Sequence, residues 1–291
     1  MIGYRTSRTA ICNAIAAQEP MWLGRAADRT KGFVAAKKYE EKSSIWADVK
    51  VVYMRIQFDK CIYCERKLES EALGKIEQDV EHFRPKGNVR AFTPSAALTN
   101  QGVVVSAIPA GPAGYYSLPY DVFNYSAACK PCNSTLKSDQ FPIAGAYDFA
   151  GANPKALLAE KPLLIYPIGD FDADPESLIR FHGTSPQAVK SRGLGRRRAL
   201  TTIEFFRLDD VLARKNLFRE RAVIITLIFP QLEAITAGVN VAKARRVVDG
   251  CTHDSAPHAN CARSFVALHA RDPVGAAKIA DAAGELVASH S

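Results

Sequence analysis

Two cysteine pairs, Cys61-Ile62-Tyr63-Cys64 and Cys129-Lys130-Pro131-Cys132, carry the strongest chemical signal in the sequence. A two-residue spacing lets both thiolates of a pair reach one ion from a tight turn, and two pairs complete a tetrahedral set. Four thiolates leave no position for water or substrate, so the implied ion, Zn²⁺, is structural. One pair alone could be a redox dithiol, but two pairs bracketing a polar motif favour zinc. That motif is Val80-Glu81-His82-Phe83-Arg84-Pro85-Lys86, where a carboxylate adjoins an imidazole and a proline ends the segment. Asn124 precedes the second pair, and Asn133 follows Cys132 directly.

An imidazole that titrates near neutrality can take a proton from water, and a carboxylate oxygen suits a hard divalent cation. Neighbouring residues on a strand face opposite ways, so Glu81 and His82 meet one phosphate only through a twist or a strand end, such as Pro85 enforces. Asn133, on the first turn of a helix, could offer its side-chain oxygen to the same cation. The main alternative is a zinc ribbon that binds nucleic acid or protein without catalysis.

The pattern resembles the HNH endonucleases. Their ββα-metal unit presents a carboxylate-histidine doublet on a strand, an asparagine in the following loop, and an asparagine or histidine on the helix. The matching residues are Glu81 and His82, then Asn124, then Asn133, with Cys61, Cys64, Cys129 and Cys132 as the zinc ligands of many members. The strings CIYCE, VEHFRPK and ACKPCN look like the HNH proteins of bacterial anti-phage systems, the retron-associated and Septu-type nucleases that work beside an ATPase. The likeness is close over residues 46–142 and fades beyond about residue 230.

The resemblance implies that His82 is the general base and that Glu81 and Asn133 hold one catalytic cation, with Asn124 pinning the loop through backbone hydrogen bonds. Asparagine at the third position favours Mg²⁺ or Mn²⁺ over a transition metal. Arg84, Lys86 and Lys137 become candidate phosphate contacts, each with a plain reading as a solvated surface charge. The substrate implied is DNA and the partner a regulatory ATPase of the same defence system. An RNA- or tRNA-directed nuclease stays open, because a metal-clamped phosphate looks alike in both polymers.

These residues need elements to position them. The expected class is α+β, a mainly helical chain around a small zinc-braced ββα-metal core. Residues 1–60 form an N-terminal helical segment, 61–145 the core with an inserted loop near 89–115, and 146–291 a connector and helical region. Apolar spacing from Ile45 to Ile56 predicts an amphipathic helix over Tyr39–Phe58. The run Val103–Ile108 predicts one short strand, and Lys161–Pro175 an extended connector. Helices are expected over Asp209–Arg221, Ala222–Ala237 and Ala262–Ala288.

Composition agrees with a nucleic-acid partner without proving one. The net charge is +8 with a pI near 9.1, and Lys190–Arg221 holds ten basic residues against four acidic, including Arg196-Arg197-Arg198. A solvated helical face or a protein-docking surface would look the same. Phe205-Phe206 within it reads as a core anchor, and Cys12 as a small buried residue on the first helix. Cys251, His253, His258 and Cys261 match no zinc spacing. The chain has no apolar run of membrane-spanning length and no signal-peptide pattern, so no membrane partner and a cytoplasmic location are expected.

Overall fold

The structure is a computed structural model describing residues 1–110 and 114–289. Among the described residues the fold is α+β, about half helical, with two small antiparallel sheets. Helices α1 (Arg8–Gln18) and α2 (Trp22–Ala36) lead to a turn of 3₁₀ helix and α3 (Lys50–Ile56). Then come α4 (Glu71–Glu77), β1 (Gln78–His82), α5 (Ala96–Asn100) and β2 (Tyr125–Cys129), followed by a wide helical segment, Pro131–Lys137. A connector carrying two short 3₁₀ segments, Ala156–Glu160 and Pro175–Ser177, reaches β3 (Ile179–His182) and β4 (Ser185–Ala188). Helices α6 (Gly193–Phe205), α7 (Lys215–Thr236), α8 (Val241–Thr252), α9 (Ala259–Arg271) and α10 (Pro273–Ala288) complete the chain.

Strands β1 and β2 pair Gln78 with Cys129 and His82 with Tyr125, which lays the Glu-His motif beside the second cysteine pair. The main core packs both faces of this hairpin, with Trp22 and Tyr53 from the helices, Tyr125 and Ala127 from β2, and Leu164 and Tyr166 from the connector. A second core lies between α7, α8, α9 and α10. All three sequence segments contribute to the main core, which takes in Met1, Cys61 and Leu217 alike.

Several expected elements are corrected. Helix does not begin at Tyr39, because Ile45 spends its backbone groups on tertiary bonds: its N–H donates to Tyr120 Oη at 3.2 Å and its carbonyl accepts from Trp22 Nε1 at 2.7 Å. Val103–Ile108 is no strand. Ser106 N–H meets the Ile143 carbonyl at 2.9 Å, but the pairing does not extend into a ladder. The inserted loop, whose residues 111–113 lie outside the described residues, contains α5 and packs Leu98 and Val103 against Leu163 of the connector in a small apolar cluster. Nothing breaks the helix at Arg221-Ala222, since one buried stripe from Leu217 to Leu232 runs through α7. The last expected helix is two: Pro273 starts α10, and the Asp272 side chain caps it by accepting from Gly275 N–H at 2.9 Å.

Candidate functional site: a four-thiol cluster beside a Glu-His hairpin

The segment Cys61–Cys64 is a tight knuckle closed by Cys61 N–H to the Arg66 carbonyl at 3.0 Å and Glu65 N–H to the Cys61 carbonyl at 3.0 Å. Glu65 takes a left-handed φ of 60° to turn the chain. Ile62 N–H docks the knuckle on the Ala127 carbonyl of β2 at 3.1 Å. Cys129 ends β2, and Cys132 stands one turn on, behind Pro131.

All four cysteines are buried and unbridged, and their sulfur atoms lie within 4.8 Å of one another. Zinc bonded to sulfur at about 2.3 Å in a tetrahedron requires sulfurs about 3.8 Å apart; Cys64 and Cys129 are 3.9 Å apart. The donor set therefore fits a structural metal such as zinc. Burial works to raise the Cys61 thiol, yet hydrogen bonds from Cys129, Cys132 and Cys64 bring it well below its ordinary value. Those contacts push Cys132 the other way. Arg214 adds a guanidinium on the outside, donating from Nη2 to Cys132 Sγ at 3.5 Å.

His82 and Glu81 face opposite sides of β1, a correction to the expected twist that would bring both to one phosphate: both residues lie within the regular ladder, ahead of Pro85. His82 is 6% exposed, edge-on to Trp46 and Tyr125 with ring centroids 4.9 and 5.0 Å away. Its Nε2 lies 3.2 Å from the Pro119 carbonyl. A carbonyl only accepts, so Nε2 carries the proton and Nδ1 is the basic nitrogen. Burial, then the Lys86 charge, holds the His82 pKa well below its ordinary value, so the ring is neutral at pH 7.

Glu81 is 2% exposed. Lys137 Nζ stands 2.6 Å from its Oε1, and Tyr63 Oη donates to the same oxygen at 3.1 Å. Burial outweighs Lys137 and holds the Glu81 carboxyl above its ordinary value. Asn133 donates from Nδ2 to Asp79 Oδ2 at 3.1 Å, and the Ser134 hydroxyl donates to the same oxygen at 3.1 Å. Asp79 lies two residues before Glu81, on the same face of the strand. Sequence reasoning passed over it, although the alternation Asp79-Val80-Glu81 marks two carboxylates on one side.

Asn124 is fully engaged with backbone. Its Oδ1 accepts from Arg84 N–H at 2.7 Å, and its Nδ2 donates to the carbonyls of Arg84 and Leu118 at 3.0 and 3.1 Å. It ties the end of β1 to the loop that enters β2. Pro85 is tied as well: its carbonyl accepts from Tyr115 N–H at 2.8 Å, and a Cβ on Gly114 would come within 2.7 Å of that oxygen.

Three expected phosphate contacts need correction, because they are buried in ion pairs. Arg84 meets Glu160 at 3.1 Å beneath the rings of Phe141 and Tyr115. Lys137 is taken by Glu81 and also donates to the His82 carbonyl at 2.9 Å. Arg198 is paired with Asp172 at 2.6 Å. Lys86, half-buried, sits over the Trp46 ring at 4.6 Å. Arg196 donates to Gln101 at 2.6 Å, and Arg197 is half-buried.

Phe205 and Phe206 are core residues; Phe206 stacks on Tyr63 with centroids 3.9 Å apart. Cys251, His253, His258 and Cys261 do not converge. His258 is paired with Glu220 at 2.8 Å, and Cys261 Sγ contacts the Gly183 carbonyl at 3.4 Å. Among the described residues, no helix is long and apolar enough to cross a membrane.

Comparison of the chain with protein-family models, with curated proteins and with solved structures gave no match.

Proposed function

We propose that this protein is a metal-dependent HNH-type endonuclease with a zinc-braced ββα core, hydrolysing phosphodiester bonds in DNA. The observation that carries the reading is the state of His82. It is a neutral imidazole whose Nε2 is fixed on the Pro119 carbonyl, leaving Nδ1 to take a proton from water. Asn124 and the thiol cluster hold the two ends of the hairpin on which it stands.

Glu81 and Asn133 would hold a catalytic Mg²⁺ or Mn²⁺ on the face of β1 opposite His82, so substrate would have to reach both at the Pro85 end of the strand. Both contacts described for Glu81 fall on Oε1, and the contact described for Asn133 uses Nδ2. The oxygens left over, Glu81 Oε2 and Asn133 Oδ1, are the type a hard cation takes. When bound, such a cation supplies stabilisation of charge on the non-bridging and leaving oxygens. Lys137 holds Glu81 in place and, through the His82 carbonyl, links the two faces of the strand. Action in anti-phage defence, beside a regulatory ATPase, rests on the sequence resemblance alone.

The test is nicking of supercoiled plasmid with Mg²⁺ or Mn²⁺, comparing wild type with His82→Ala at matched zinc content. Loss of a general base is expected to slow cleavage by about 10² to 10⁴-fold. Cleavage at the wild-type rate would remove His82 from the role. Activity on labelled RNA in place of plasmid would move the substrate class. Binding without cleavage of either polymer would leave a zinc-braced docking module.

A further inference from the structure

Outside the His82 face, one pocket gathers three cationic side chains. It encloses about 300 Å³ beside the thiol cluster, between Cys129 and Pro131 on one side and the start of α7 on the other. Arg66, Arg214 and Lys215 line it. Arg66 Nε is buried with no hydrogen-bond partner, and no ion pair is described for either Arg66 or Lys215. Arg214 is tied to Cys132 and to the Phe206 carbonyl. The one carboxylate on the wall, Glu220, accepts a hydrogen bond from His258 Nε2 at 2.8 Å. Pro131, Leu212 and Leu217 give the rest of the wall an apolar character.

We infer that this pocket binds a phosphate ester, with Arg66 and Lys215 as its free cations and Arg214 as the fixed one. Cations interleaved with apolar wall residues suit a phosphate that carries an organic group. The strand register places the pocket. Cys129 lies opposite Gln78 and Tyr125 opposite His82, so the site stands about 13 Å along the hairpin from His82 at ~3.3 Å per residue. A nucleic-acid strand crossing the protein surface over that distance would bring one phosphate to the His82 side and another, a few nucleotides away, to Arg66 and Lys215. The pocket would then hold substrate in register without touching the reacting bond. Naming a nucleic-acid phosphate rests on the nuclease reading; the anion site does not.

The test measures binding without Mg²⁺ or Mn²⁺, by fluorescence anisotropy of a short labelled single-stranded oligonucleotide over a range of salt. Wild type is compared with Arg66→Ala, Lys215→Ala, the double variant, and the remote exposed pair Lys243→Ala/Arg245→Ala. The double variant is expected to bind about tenfold more weakly, and its salt slope to be shallower by about 1.4. Its zinc content should be unchanged, the remote pair should behave as wild type, and inorganic phosphate should compete in wild type and the remote pair but not in the double variant. Unchanged affinity and slope would overturn the site. Zinc lost in step with affinity would also overturn it, by showing that these cations serve only to neutralise the thiolates. Loss of phosphate binding with full oligonucleotide affinity would overturn the assignment to a nucleic-acid strand. A wild-type chain that binds through these cations yet never cuts would sink the nuclease reading and leave the site standing.

Discussion

Lys137 Nζ lies 2.6 Å from Glu81 Oε1, and both side chains are shut away from solvent. A buried ion pair is costly to break from one side, because the survivor is left charged and unpaired. Glu81→Gln and Lys137→Met should each lower stability by about 3 to 5 kcal/mol, whereas the double variant should recover most of that loss. Denaturant melts of the three variants check this. Additive losses would mean that the two groups do not depend on each other.

Removal of one thiolate should cost the protein its metal. Cys129→Ser is expected to abolish stoichiometric zinc in elemental analysis and to lower the melting temperature, since the energy of a structural metal is folding energy. Chelator should reproduce the melting change in wild type and have no further effect on the variant. Unchanged zinc in the variant would rule out the four-cysteine site.

His82 gives a pH dependence whose sign is fixed. Its pKa is lowered in the folded protein from an ordinary 6.5, so the unfolded chain binds the proton more readily. Stability should therefore fall as pH drops below about 6.5, down to the depressed folded value. His82→Gln should flatten this part of the profile, and comparing the two proteins cancels the acid sensitivity of the thiol cluster. Cleavage should also persist on the acid side of 6.5, because the ring stays neutral there. A wild-type stability profile that the variant reproduces would contradict the depressed pKa.

Access to His82 is restricted by residues 37–46. Trp46 covers the imidazole edge-on, and the segment is fastened at Glu41, which accepts from Tyr120 Oη, Tyr39 Oη and Arg29. Trp46→Ala and Glu41→Ala should raise the rate at which diethyl pyrocarbonate modifies His82, read by mass spectrometry. The Trp46 change should cost about 1 to 3 kcal/mol, less than for a fully buried tryptophan. Unaltered reactivity in both variants would show that the ring is reached from another side.

The thiol cluster was legible because its signal is local: spacing within each pair states the chemistry, and only the meeting of the pairs had to be supplied by the fold. Arg84, Lys137 and Arg198 were not legible in the same way. A cation looks identical in sequence whether it meets a phosphate or a buried carboxylate. The deciding partners, Glu160 for Arg84 and Glu81 for Lys137, lie 76 and 56 residues away. The boundaries that moved did so for tertiary reasons. Ile45 gave its backbone to Tyr120 and Trp22, and α7 ran on through Arg221 because its buried stripe had no interruption.

Helix α7 enters both cores. Leu217, in its first turn, belongs with the hairpin and thiol cluster, whereas Ala222, Ile225 and Ile228 belong with α8, α9 and α10. Just before it, Arg214 rests on Cys132. The two cores are thus joined through one helix, whose N-terminal end stands against the sulfur atoms and whose later turns are packed by the C-terminal helices.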